Sequence, residues 1–214
     1  MLVCLSKPEW FFAEVPKTGT TAICDALRYS DKYESAYCWT KHWPVLPPDS
    51  FLRRKPKALI SVRNPYSRAV SCWMWCFASH KPETSTPARL GFESWLAVAK
   101  ENLKQTGFIW PMDIAVTVCQ PQNLWLSLYP WDFVLKQESL YADFRSALDS
   151  FGFPELPVKR VNSAASVNKK AKEAGLTLKH WKEHYTGDCK KLVEELWQED
   201  FEALKPYYPE FETP

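Results

Sequence analysis

Apolar positions fall into two patterns along this chain, short unbroken runs and stripes at helical spacing, and their alternation predicts the elements. Trp10 to Val15 (WFFAEV) is an aromatic and apolar run ended by Pro16, the signature of a buried strand that cannot continue past its proline. Lys17-Thr-Gly-Thr-Thr leads into Ala22 to Tyr29, where Ile23, Ala26 and Leu27 recur at helical spacing. Lys57 to Val62 (KALISV) is a second run, and Asn64-Pro65 places proline near the first position of a helix over about Tyr66 to Ala78. A third candidate strand, Asp132 to Lys136 (DFVLK), precedes a helix over Tyr141 to Phe151. Repeated strand-to-helix units predict an α/β fold in three layers, a central, mainly parallel sheet flanked by helices. Phe92 to Leu103 and Cys189 to Leu204 read as amphipathic packing helices, the second with Leu192, Leu196 and Phe201 on or near one stripe.

Proline-rich stretches at Trp43 to Pro56 and Lys81 to Pro87, and a polar segment at Asn162 to Gly175, separate these units. Loops of such length are often functional, and none has the composition of an interdomain linker. With 214 residues and no internal repeat, the expectation is one domain spanning 1–214, large enough to bury a core without staples. Lys and Arg total 27 against 25 Asp and Glu, so a net charge of +2 gives no reason to expect a nucleic-acid partner. Any anion site must be local.

Seven cysteines form an odd set whose spacing yields neither a disulfide nor a zinc framework. Cys72 and Cys76 are four apart on a predicted helix, but no second ligand pair follows nearby, which favours small buried thiols. The apolar run at Met1 to Leu5 is too short for a signal segment, and no stretch of 18 apolar residues occurs. These features predict a soluble, cytoplasmic protein without a transmembrane segment.

The chemistry concentrates at two strand-to-helix junctions. At the first, Gly19 permits close backbone approach, Thr18, Thr20 and Thr21 supply hydroxyls, and Lys17 supplies a cation. The following helix offers N–H groups without intrahelical partners and the positive end of its dipole. This combination suits a phosphate, although threonines also cap ordinary helices. The Walker A loop, G-x-x-x-x-G-K-[ST], fits poorly, because Lys17 precedes Gly19 and the first glycine is missing. Arg63 follows KALISV where a kinase would be expected to offer an aspartate for magnesium. Pro16-Lys-Thr-Gly-Thr-Thr instead closely resembles the 5'-phosphosulfate loop of sulfotransferases that use 3'-phosphoadenosine 5'-phosphosulfate (PAPS).

At the second junction, Arg63-Asn-Pro-Tyr-Ser-Arg-Ala-Val-Ser71 sets a guanidinium and a hydroxyl eight residues apart, able to converge on a second phosphate. Arg63 and Ser71 resemble, in type and spacing, the 3'-phosphate site of the same family. Arg68 reads as a structural or ion-pairing residue. Further along, Lys41-His42, Gln122-Asn-Leu-Trp125, Phe133 to Glu138, Asn162-Ser-Ala and Asp200-Phe201-Glu202 resemble segments of the branch containing carbohydrate sulfotransferases and their bacterial relatives. The likeness runs from about Phe11 to Phe201. Asn64 stands where that branch often has an acidic residue, and Cys119-Gln-Pro-Gln where it often has a His-x-Pro-Gln segment.

The resemblance implies a P-loop-like sulfotransferase fold that moves a sulfuryl group from PAPS to an acceptor hydroxyl, releasing PAP and requiring no metal. Thr18, Gly19, Thr20 and Thr21 would then hold the 5' end, and Lys17 the bridging oxygen as charge builds on the leaving phosphate. Lys169 or Lys170 could close over the nucleotide, though both equally suit a solvated charge pair. His42 is the expected general base, neutral imidazole being able to accept the hydroxyl proton near pH 7, with Glu34 in reserve. The acceptor, a glycan or a small alcohol or phenol, would meet aromatic faces such as Trp39, Trp43, Trp73, Trp75 and Trp110, although most of the 11 tryptophans are expected in the core. Two rivals stand beside this reading: a small-molecule kinase using ATP, and a binding protein without turnover.

Overall fold

The computed structural model describes residues 2–4, 9–28, 37–38, 43–79, 90–109, 115–152, 169, 171–173, 175–177 and 179–214. Its contacts divide the chain into two compact units, residues 1–63 with 122–161, and residues 64–121 with 162–214.

The first unit holds a five-stranded sheet built from β1 (Leu2–Cys4), β2 (Trp10–Ala13), β3 (Tyr37–Cys38), β4 (Lys57–Val62) and β5 (Phe133–Lys136), in the order β3-β1-β2-β4-β5. β2, β4 and β5 are parallel, with Phe12 opposite Leu59 and Leu59 opposite Phe133. The sheet as a whole is mixed, because β1 runs antiparallel to both β2 and β3. β1 lies in the apolar run at Met1 to Leu5, which is too short to carry a readable strand period.

Successive side chains of a strand point to opposite faces, so a strand covered on both sides reads as an unbroken apolar run. On one face Trp10, Phe12, Leu59 and Leu135 pack with Ile23 and Leu27 of α1 (Thr20–Arg28) and Phe144 and Leu148 of α7 (Leu140–Ser150). On the other, Phe11 and Ala58 pack with Phe51 of α2 (Asp49–Leu52), while Ala13 and Ile60 pack with Trp125 of α6 (Asn123–Leu126). The expected DFVLK strand starts one residue late because Asp132 caps the adjacent edge: its carboxylate accepts the Ala58 N–H at 2.8 Å.

The second unit is helical, with α3 (Pro65–Ser79), α4 (Phe92–Thr106), α5 (Ala115–Val118), α8 (Cys189–Leu196) and α9 (Gln198–Leu204). Its core joins Trp73, Trp95 and Trp197, each no more than 2% exposed, with Phe92 stacked on Trp95 and Trp95 stacked on Trp197. The single helix expected over Cys189 to Leu204 is two, broken at Trp197 (φ −120°, ψ 32°). There the buried indole donates to the Cys119 carbonyl at 3.0 Å. Cys72, Cys76 and Cys119 are buried together, Cys76 Sγ lying 3.7 Å from Cys119 Sγ. Among the described residues, no group of three His, Cys, Asp or Glu side chains is arranged to hold a metal, and no helix is long and apolar enough to cross a membrane.

Candidate functional site

The site grows from the end of β2. The β2 ladder ends at Ala13, short of the expected Val15, and residues 16–19 form a turn before α1 begins at Thr20. Lys17 has φ 67° and Gly19 φ 86°. A lysine in the left-handed region costs about 1–2 kcal/mol and persists only where its surroundings dictate it. Thr18 supplies the constraint. Its hydroxyl, fully buried, donates to the Val15 carbonyl at 2.8 Å, and because that uses its only proton, Ser61 Oγ donates back to it at 2.6 Å. Ser61 lies on β4, so the loop is tied to the neighbouring parallel strand.

Thr18 therefore has its side chain committed inward and can offer an incoming anion only its backbone N–H. Thr20 is also buried, whereas Thr21 is exposed and Lys17 and Gly19 are half-buried. Gly19 O accepts the Ala22 N–H at 3.1 Å, closing the first helical turn, and that turn carries no acidic side chain to compete with an anion. A Cβ at Gly19 would sit 2.7 Å from Leu140 Cδ2 at the start of α7, so the close approach of that helix reinforces the need for glycine here. Just upstream, Glu14 is a buried carboxylate accepting the Cys24 thiol at 3.0 Å.

Arg63 follows the last residue of β4. Its Nη1 reaches the Lys17 carbonyl at 3.4 Å, so the first unit brings this arginine and the loop together. Gln122, fully buried, holds the Arg63 backbone from both sides: Arg63 N–H donates to its Oε1 at 2.8 Å, and its Nε2 donates to the Arg63 carbonyl at 2.9 Å.

Ser71 is half-buried on α3, two turns past Pro65. Asn64 caps that helix, its Oδ1 accepting the Tyr66 N–H at 2.9 Å, while its Nδ2 donates to the Glu212 carbonyl at 2.8 Å. Arg68 is the ion-pairing residue its position implied: Nη1 lies 3.8 Å from Asp200 Oδ2, and Nη2 donates to the Val118 and Gln120 carbonyls. Lys169 is exposed in helical backbone, 4.0 Å from Glu173. His42, Glu34 and Lys170 lie outside the described residues, as do Trp39 and Trp110. Of the other tryptophans considered for the acceptor, Trp73 is core, Trp75 half-buried and Trp43 58% exposed.

Sequence reasoning missed Ser61, Gln122 and Glu14. A lone serine inside KALISV and a lone glutamate inside WFFAEV were the available signals, since a polar residue in a buried run is there for a hydrogen bond. Gln122 stood in a segment of recognised resemblance but carried no assigned role.

In comparisons with known proteins, no curated protein and no solved structure matched the chain. The sequence model described as the Sulfotransferase family matches residues 3–208, which takes in both junctions and both compact units. With that match spanning nearly the whole sequence, the chain belongs to the sulfotransferase family, whose reaction is sulfuryl transfer.

Proposed function

We propose that the protein transfers a sulfuryl group from PAPS to the hydroxyl of a glycan or of a small alcohol or phenol, through a P-loop-like phosphate site at the β2–α1 junction. The observation that carries the reading is the left-handed loop at Lys17 and Gly19 with the Arg63 guanidinium against it, 3.4 Å from the Lys17 carbonyl. Backbones that enter left-handed conformations beside a helix start make anion-binding concavities, and the donor carries phosphates to fill one.

In this reading the main-chain N–H groups of residues 18–21 and the Thr21 hydroxyl hold the 5' phosphate. Lys17 lies against the oxygen that bridges sulfur and phosphorus. Arg63 and Ser71 take the 3'-phosphate, the guanidinium by paired hydrogen bonds. His42 removes the acceptor proton as the acceptor oxygen bonds to sulfur. The bond from sulfur to the bridging oxygen breaks, its electron pair leaving with PAP, and Lys17 stabilises the negative charge appearing there. Lys169 and Lys170 would add charge from the Asn162 to Gly175 segment. The whole chain, 1–214, acts as one sulfotransferase domain, a reading the extent of the family match supports. A cytoplasmic location belongs to the same reading and rests on the absence of a disulfide framework in the cysteine spacing.

Thermal melting with nucleotides, followed by a transfer assay, tests the proposal, because a ligand that binds only the native state raises the melting temperature by mass action. PAP should raise it and ATP should not. Equal stabilisation by magnesium-ATP, lost in Lys17→Ala, would make the protein a kinase. PAP binding with no transfer to any acceptor in a broad panel would make it a binding protein. Near-normal transfer by His42→Ala would remove that residue as the base.

A further inference from the structure

We infer that Gln122 is a positioning residue for Arg63, fixing the arginine's backbone so that its guanidinium is aimed at a donor phosphate. The inference rests on the PAPS reading above. Val62 pairs with Lys136 as the last matched position of β4 and β5, so Arg63 is the first residue whose direction the sheet ladder leaves open. The Gln122 amide takes over there. One primary amide accepts from the Arg63 N–H and donates to the Arg63 carbonyl, two complementary bonds to a single residue, as a neighbouring strand would make. Only one orientation of the amide satisfies both groups, since the flipped form would set donor against donor and acceptor against acceptor. Gripping N–H and C=O together holds φ and ψ of Arg63, and with them the direction of its Cα–Cβ bond.

Residue type is decisive under this account. Leucine fills similar space but withdraws both of these bonds from the Arg63 backbone. An ionised glutamate can accept from the N–H but sets an acceptor against the Arg63 carbonyl. A protonated glutamate has one donor and one acceptor and restores the complementary pair. Burial raises the pKa of such a carboxyl, bringing its protonation toward accessible pH.

The test measures PAP affinity by calorimetry for the wild type, Arg63→Ala, Gln122→Leu and the double variant. Gln122→Leu should weaken PAP about ten-fold, because the guanidinium is no longer held in one direction. The double variant should bind no more weakly than Arg63→Ala alone, because Gln122 acts only through Arg63. Gln122→Glu, a second route should the leucine variant fold poorly, should bind PAP weakly at pH 7.5. Its affinity relative to wild type should recover as pH falls toward 5. Wild-type PAP affinity in both Gln122 variants, or additive losses in the double variant, would overturn the inference while leaving the donor site standing. Unchanged PAP affinity in Arg63→Ala would instead overturn the donor reading itself, and the inference with it.

Discussion

The two strand-to-helix junctions use opposite solutions to the same problem, the unpartnered N–H groups at a helix start. At β2–α1 a hydroxyl expected at the phosphate turns away: Thr18 bonds Val15 and Ser61, and the chain passes through left-handed Lys17 and Gly19. At the start of α3 a side chain of the protein does the capping, with Asn64 Oδ1 on the Tyr66 N–H and Pro65 at the first helical position, where no N–H is needed. In the proposed reading the first helix start receives the donor phosphate, whereas Asn64 caps the Tyr66 N–H at the second. In the proposed reading the 3'-phosphate is accordingly held by side chains, the Arg63 guanidinium among them. The contrast also explains why the second segment looks like an ordinary capped helix when read alone.

The largest effect should come from the inner face of α3. Arg68→Ala would leave Asp200, fully buried, without its cation and strip donors from the Val118 and Gln120 carbonyls. Breaking a buried pair from one side costs about 3–5 kcal/mol, so denaturant unfolding should show a loss of that size. A loss below about 1 kcal/mol would mean that the internal satisfaction of this junction does not extend to Arg68.

Next in size is Gly19→Ala, where a left-handed backbone and contact with Leu140 Cδ2 act together. The expected loss is about 2–3 kcal/mol, accompanied by weakened PAP binding. Gly107 ends α4 at φ 75° with nothing near its would-be Cβ, so Gly107→Ala should cost only about 1 kcal/mol and spare binding. Equal losses at the two glycines would show that the loop's packing against α7 contributes nothing.

Much of this architecture was legible locally. KALISV gave β4 its observed bounds, and Asn64-Pro65 marked the start of α3, because strand burial and helix entry are encoded in neighbouring residues. Most of what escaped is carried by partners far apart in sequence. The bond from Trp197 to Cys119 and the grip of Gln122 on Arg63 each depend on a residue whose relevance appears only after folding, whereas β1 pairs with nearby β2 and escaped because so short a strand shows no period. The phosphate loop lies between these cases: its residues were recognisable, but that Thr18 would turn inward depended on Ser61, 43 positions later.

Asn64 offers a finer test of internal satisfaction. An aspartate, the residue more frequent in the resembling branch, would still cap Tyr66 through a carboxylate oxygen, but it has no donor for the Glu212 carbonyl. Asn64→Asp should therefore lower stability by about 1 kcal/mol while leaving PAP affinity unchanged. A drop in PAP affinity would mean that the capping residue also touches the anion, and the two junctions would be more alike than their geometry implies.

The smallest expected effect lies on the flank of α3, where the His184 ring meets Trp73 edge to face at 5.0 Å. Its Nε2 is buried with no hydrogen-bond partner among the described residues, and burial, reinforced by the positive charge of Lys179, lowers its pKa below the ordinary value of 6.5. A histidine with a lowered folded-state pKa binds fewer protons folded than unfolded, so stability rises with pH across the interval between the two values. The contribution is complete above the unfolded value and is lost as pH falls from about 6.5 through the folded-state pKa. Melting temperature should therefore fall modestly between pH 7 and pH 5. His184→Phe, which keeps the ring contact with Trp73 and removes the titration, should flatten that slope; an unchanged slope would place the acid sensitivity elsewhere in the molecule.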